Sequence, residues 1–177
     1  MQSKYLVYPI GRFQPPAQIN EQDISLWIER IKMLGTKLNT VLNQHPNMDW
    51  NQPYRPGAWT YVQLVHHLAD SHMNAFIRFK WALTEDNPLI KAYDENSWAQ
   101  LPDANGPMVD AVHLLHALHH KWSLLMEGMS WEQWNRTYVH PEGLQTRSLA
   151  LTSALYAWHG DHHLAQIEQG IKLIDEQ

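Results

Sequence analysis

The sequence predicts an all-α protein, a four-helix bundle formed by a single domain over residues 1–177. Three observations predict it. Four segments of about twenty residues each repeat apolar side chains at the i, i+3, i+4, i+7 spacing of a helix buried along one face. Helix-start signals of the capping-box type stand at two places. No segment shows a strong strand alternation, and no internal repeat or low-complexity tract competes with a bundle.

Taken in order, residues 1–20 hold Pro9, Pro15 and Pro16 and are expected to run extended over the surface. The first helix is expected from about Asp23 to Asn43, where Trp27, Ile28, Ile31, Leu34, Leu38, Val41 and Leu42 recur at helical spacing. His45-Pro46 ends it, because a residue before proline avoids the helical region. Residues 46–58 form a loop rich in Asn, Pro and Gly. Thr60 and Gln63 then make a capping box, with Trp59 and Leu64 as its hydrophobic staple, and the second helix runs to about Thr84, ahead of Asn87-Pro88. Residues 85–107 are a long connection with Pro88, Pro102, Gly106 and Pro107, and connections of this length in a bundle tend to carry function. The third helix is expected over about Met108–Met126. Ser130 and Gln133 form a second capping box that starts a short helix, and His140-Pro141-Glu142-Gly143 is a turn. The last helix is expected over about Ser148–Ile174, weakened in propensity only by Gly160 and Gly170. The two long connections permit an order of helices other than simple up-down-up-down.

Composition removes several classes of function. The net charge is −5 and the pI about 6.1, without the basic patch that nucleic acid or an anionic membrane surface would demand. There is no cysteine, so disulfides, a thiol nucleophile and thiolate metal ligands are all excluded. Any sulfur chemistry must arrive on a cosubstrate. The apolar stretch at the N-terminus is short and broken by Pro9, unlike a signal peptide, and no apolar run reaches membrane-span length. The expectation is a soluble cytoplasmic protein.

Two counts are unusual: 12 His and 9 Trp. The histidines gather in three of the helical segments, at 66, 67 and 72, at 113, 116, 119 and 120, and at 159, 162 and 163. His159 and His163 stand one helical turn apart, so their imidazoles share a face and can chelate one metal. The plain alternative is a pair of surface histidines. A third ligand must come from a facing helix, and His66 or His67 is the natural supplier; about 100° separates the two, so one of them faces the site. Three neutral imidazoles leave a divalent metal its full charge and a free position, which is a catalytic rather than a structural arrangement. His67, Ser71, Asn74 and Arg78 form a polar row on one side of the second helix. Such a row either faces a metal cavity or is simply solvated. Asp70, His72 and Asp161 point at other angles. The histidines of the third helix are assigned to surface or packing, with room for one near the cavity. Trp27, Trp59, Trp81, Trp98, Trp122 and Trp158 are assigned to the core. A phosphate-binding glycine loop, a G-x-S-x-G elbow, H-E-x-x-H and the Glu-x-x-His pairs of di-iron bundles are all missing.

A resemblance sharpens these choices. Its residues are Tyr8-Pro9-Ile10-Gly11, Pro53-Tyr54-Arg55-Pro56-Gly57 before Trp59-Thr60, Gln63, the run His66 to Asn74, Ile77-Arg78-Phe79-Lys80, Tyr93-Asp94-Glu95 with Trp98, His140-Pro141, and Trp158-His159 with His162-His163. In these the chain resembles the DinB-like superfamily, and within it the YfiT-type members described as metal-dependent hydrolases or bacillithiol-transferase-like proteins. The long second-helix match is specific, whereas H-x-x-x-H alone would not be. One local departure is Ala165-Gln166, where many broader members have Gly-Gln. The resemblance implies an up-down-down-up bundle, a homodimer, zinc or nickel in the site, and His67, His159 and His163 as its ligands. His67 is preferred to His66 because it stands eight residues after Trp59, where the family's single histidine falls.

Two functions follow. The first is an enzyme that uses the metal to activate water or a low-molecular-weight thiol, as a hydrolase or a thiol transferase acting on a small molecule. The general base is open, with Asp70, Tyr93 and Asp94 as candidates. The second is a non-catalytic metal-binding, stress-associated or interaction protein. A fourth protein ligand closing the metal would favour the second function, and a water or bound small ligand in that position the first.

Overall fold

In a computed structural model describing residues 7–176, α1 spans Glu21–Gln44. It starts two residues before the expected Asp23 because Asn20 caps it. The Asn20 side-chain oxygen accepts from the Gln22 and Asp23 amides at 2.9 and 3.0 Å, and the Asp23 carboxylate accepts from the Asn20 amide at 3.0 Å. α2 spans Tyr61–Thr84 and begins at the expected box: Thr60 Oγ1 accepts from the Gln63 amide and the Gln63 side chain accepts from the Thr60 amide. The long connection carries a single helical turn, α3 (Glu95–Trp98), and a 3₁₀ turn over Pro102–Asn105. α4 spans Met108–Glu127, and the Ser130–Gln133 box starts the one-turn α5 (Trp131–Trp134). α6 spans Leu149–Asp175, capped by Ser148.

The sequence pattern also missed a small sheet. Residues 137–148 form an antiparallel hairpin, β1 (Thr137–His140) and β2 (Gln145–Ser148), turned through Gly143 at φ 68°. Four-residue strands are too short to register as an alternation. The hairpin also places the long connection. Leu89 bridges to Val139, the Ile90 amide donates to the Val139 carbonyl at 3.0 Å, and the Val139 amide donates to the Pro88 carbonyl at 2.8 Å. Residues 91–98 are thereby carried past the bundle beside β1.

Two core clusters give the helix directions. One joins Ile24, Ile28 and Ile31 of α1, Phe79 and Ala82 of α2, Trp122 and Met126 of α4, and Ala150 and Tyr156 of α6. The other joins Leu38 and Val41, Leu64 and Val65, Ala111 and Leu115, and Leu164 and Ile171. From the first cluster to the second, α1 and α6 run forward while α2 and α4 run backward. The bundle is therefore up-down-down-up. α1 and α2 each pack on α4 and α6, so these two consecutive helices stand across a diagonal.

Of the N-terminal segment expected to be extended, residues 1–6 lie outside the described residues. Residues 7–20 contain neither helix nor strand. They lie against α6, with Tyr8 against His162 and Phe13 against Trp158 at ring separations of 5.7 and 5.8 Å. Among the tryptophans assigned to the core, Trp122 is fully buried, whereas Trp81 lies exposed near the end of α2.

Gly170 shows why α6 keeps a poor helix former. A Cβ there would collide with the hydroxyl of Tyr61 and stand 3.3 Å from the Tyr54 carbonyl, and Tyr61 is itself fully buried. Helix propensity alone would make Gly170→Ala stabilising by about 1 kcal/mol. Overpacking a filled core costs about 1–3 kcal/mol, so we expect a net loss of up to about 2 kcal/mol in urea unfolding. A gain in stability would show that the two helices are free to move apart.

Candidate metal centre

The Thr60 cap sets the phase of α2, and seven residues later His67 points into the bundle. It is buried, with the Trp59 ring 4.7 Å from its own. From α6, the partly buried His159 and His163 meet it. His159 Nε2 lies 3.3 Å from His67 Nε2 and 3.1 Å from His163 Nε2. One nitrogen from each ring falls within 4.8 Å of the other two. A tetrahedral ion about 2.0–2.1 Å from each donor has donors spaced about 3.3 Å apart, so the two separations made by His159 match the spacing a metal requires.

Electrostatics suit the same role. Burial pushes His67 down to about 4. Burial, then the neighbouring imidazoles, holds His159 and His163 well below the usual histidine range. All three are therefore neutral at pH 7 and present lone pairs. Gln166 Oε1 accepts from His163 Nδ1 at 2.7 Å, which puts the proton on Nδ1 and leaves Nε2 free to face the centre. The Gln166 amide nitrogen donates to the Val7 carbonyl, so the N-terminal segment steadies this support.

The other histidines sort themselves. His66 Nε2 reaches the Gly106 carbonyl at 3.2 Å, and His162 stacks on Trp158 at 4.7 Å with its ring 4.9 Å from that of His163; neither belongs to the three-nitrogen group. Asp161 pairs with Arg30 and Lys37 of α1, away from it. His72 was not expected in the site, and His119 takes the place left for one third-helix histidine. His159 Nδ1 meets His72 Nε2 at 3.4 Å, and His72 Nδ1 meets His119 Nε2 at 2.9 Å. Both are buried, so His119 takes the packing role of the two assigned to the histidines of this helix. A signal existed: His119 sits in the stripe Val112, Leu115, Trp122, Met126, and His72 in the stripe Leu68, Ala75, Phe79.

His119 makes stability depend on acid. Burial pushes it from its usual 6.5 to about 3, with a smaller push from His116. Above pH 6.5 both folded and unfolded chains are neutral at this residue. As pH falls from 6.5 through about 3, the unfolded chain takes up the proton first and stability drops, by up to about 1.4 kcal/mol per pH unit. Urea midpoints measured from pH 7 to 4 should therefore fall less steeply in His119→Gln than in the wild type. Parallel curves would remove His119 from the acid response.

Beside the cluster opens a cavity of about 590 Å³, with His159 in its wall. Its buried polar lining comprises Ser71, Arg78, His140 and Tyr156. Arg78 Nη1 donates to the Tyr156 hydroxyl at 3.2 Å, and Ser71 and Tyr93 line the same wall. Three members of the polar row of α2 thus face inward: His67 at the cluster, Ser71 and Arg78 at the cavity. Asn74 instead caps the Asp70 carbonyl at 2.9 Å.

The candidate bases are divided. Tyr93 and Asp94 line the cavity. Burial raises the Tyr93 phenol above its usual range, so it stays protonated. Asp94 is exposed and uses both oxygens on Ser97, as the cap of α3. Asp70 is not in the cavity lining; burial raises its carboxyl, and the charge neighbours it feels are Asp103 and His66. His140, assigned from sequence only to a turn, lies in the cavity wall. Burial lowers it, and it accepts the Glu142 amide at Nδ1.

Comparisons with known proteins agree with this architecture. The DinB superfamily profile matches residues 31–167. A protein of Halalkalibacterium halodurans named "putative metal-dependent hydrolase" is 42% identical over 164 residues, covering 93% of this chain and 95% of its own. One of the same name from Geobacillus thermodenitrificans is 46% identical over 162 residues, 90% of each chain. Among solved structures, YfiT from Bacillus subtilis superposes with a TM-score of 0.93 at 36% identity, over 97% of this chain and 98% of that one. It is described as "a probable metal-dependent hydrolase with an unusual four-helix bundle topology". A bundle of the same topology and a profile match across most of its length place this chain in the DinB superfamily, to which it belongs.

Proposed function

We propose that the chain is a metal-dependent enzyme in which His67, His159 and His163 hold one divalent ion, zinc or nickel. The imidazole donor set suits either metal. The observation that carries the catalytic reading is the cavity with His159 in its wall, which brings the cluster to a space large enough for a small molecule. Among the described residues the group of candidate ligands stops at these three histidines, which supports an open position. A divalent ion so held supplies a Lewis acid that activates water or a low-molecular-weight thiol near neutral pH.

The chain's own groups then divide the work. Gln166 and His72 keep His163 and His159 turned to the centre. The protonated Tyr93 phenol is a hydrogen-bond donor toward a substrate oxygen rather than a base. With Asp94 committed to its cap and Asp70 outside the cavity lining, neither carboxylate is well placed to take a proton. That favours the thiol over water as nucleophile, because metal binding itself acidifies a thiol and no protein base is then needed. The test is a turnover screen of zinc- and nickel-loaded protein, setting ester and amide hydrolysis against an electrophile with a thiol cosubstrate. Thiol-dependent turnover that chelation abolishes is the expected result. Turnover of esters or amides without thiol would select the hydrolase. Stoichiometric metal with no turnover in any arm would leave a non-catalytic metal protein.

A further inference from the structure

Arg78 is a buried charge without a counter-charge. Its side chain is 6% exposed and lines the cavity. One nitrogen donates to the neutral Tyr156 hydroxyl, and Nε has no partner. The ion pairs among the described residues involve Arg30, Lys32, Lys37 and His140, but not Arg78. A guanidinium stays ionised wherever it is put, so burying it unpaired costs several kcal/mol unless something else neutralises it. The cavity's own acids do not. Asp94, Glu95 and Glu142 are exposed at its mouth, and Asp94 is tied to Ser97. Glu95 feels burial and then Glu142 and Asp94, so these carboxylates crowd one another rather than the arginine.

Position adds to the argument. Arg78 and His67 are eleven residues apart on one side of α2, and Arg78 leans back toward the helix start as helical side chains do. Its head rests on Tyr156, whose ring is 5.6 Å from that of His159. An anion on Arg78 would stand one side chain away from the three histidines.

We propose that Arg78 is an anion subsite that binds the carboxylate of a small-molecule substrate whose other end reaches the three-histidine cluster. This rests on the reading that the cluster is the reaction centre. A guanidinium matches a carboxylate with two parallel hydrogen bonds. Three carboxylates at the mouth repel further negative charge, so the class is a monocarboxylate rather than a phosphate or other polyanion.

The test is calorimetric titration with 3-phenylpropionate and its neutral isostere 3-phenylpropionamide, run on zinc-loaded and on chelated protein. Wild type should bind the carboxylate at least about tenfold tighter than the amide in both forms, as a charge-assisted pair worth about 1.5–3 kcal/mol requires. Arg78→Gln should bind the two about equally, and Arg78→Lys should keep part of the preference. No preference in wild type overturns the proposal, and that arm stands even if a variant fails to fold. A preference that survives Arg78→Gln, or that disappears on chelation, overturns it too, because the anion then sits elsewhere or on the metal. Inorganic phosphate binding tighter than 3-phenylpropionate would overturn the assigned class. Loss of metal-dependent turnover with the carboxylate preference intact would count against the reaction centre, not against the subsite.

Discussion

His159→Ala is expected to lose its stoichiometric metal and every metal-dependent activity with it. His159 Nε2 is the middle donor, close to both of the others, so its removal leaves one nitrogen on α2 and one on α6 with nothing between them. Losing a supporting residue of a metal site costs about 10–100-fold in affinity, and losing a ligand should cost at least about 100-fold. Metal content of purified protein, by elemental analysis after dialysis, gives the readout. His162→Ala is the control. His162 is on the same helix, three residues away, yet stacks on Trp158 and contacts Tyr8, so its loss should leave the metal in place. Full metal in His159→Ala would reject the assigned ligand set.

The second large effect belongs to the core behind the site. Trp122→Ala should destabilise the protein by about 3–5 kcal/mol, the range for removing a fully buried large aromatic. Trp122 is 0% exposed and packs against Phe79, Tyr156 and His72 at ring separations of 5.2, 5.8 and 6.1 Å. Its indole nitrogen has no hydrogen-bond partner, so Trp122→Phe forfeits no bond and should cost much less. In thermal unfolding the alanine variant should lose roughly 6–20 °C for a chain of this size. A loss below about 1 kcal/mol would mean that the core collapses around the gap. Because Tyr156 lines the cavity and His72 backs His159, the alanine variant should also loosen the cavity wall, whereas Trp122→Phe should preserve it.

Much of the fold was legible because its signals are local. Thr60 with Gln63, and Ser130 with Gln133, stand three residues apart, and each box formed as read. The cap at Asn20 was missed, which misplaced the start of α1 by two residues. The hairpin at 137–148 was missed for a different reason. Its strands are held by partners rather than by pattern, including Leu89, some fifty residues earlier. The tryptophans were overassigned to the core because size and apolarity do not say which side of a helix faces inward, as Trp81 shows.

By itself the sequence determined the helices, the absence of thiol ligands and one chelating pair. Periodicity and spacing bring His159 and His163 to one face of α6 whatever surrounds them. The tertiary structure alone decided what meets that pair. It turned His67 inward and His66 toward Gly106, put His72 and His119 behind His159, and set Arg78 in the cavity with no carboxylate beside it. These outcomes depend on which helices are neighbours across the bundle and in which direction each runs. A repeat of 3.6 residues defines the faces of one helix, but it carries no information about what another helix places opposite them.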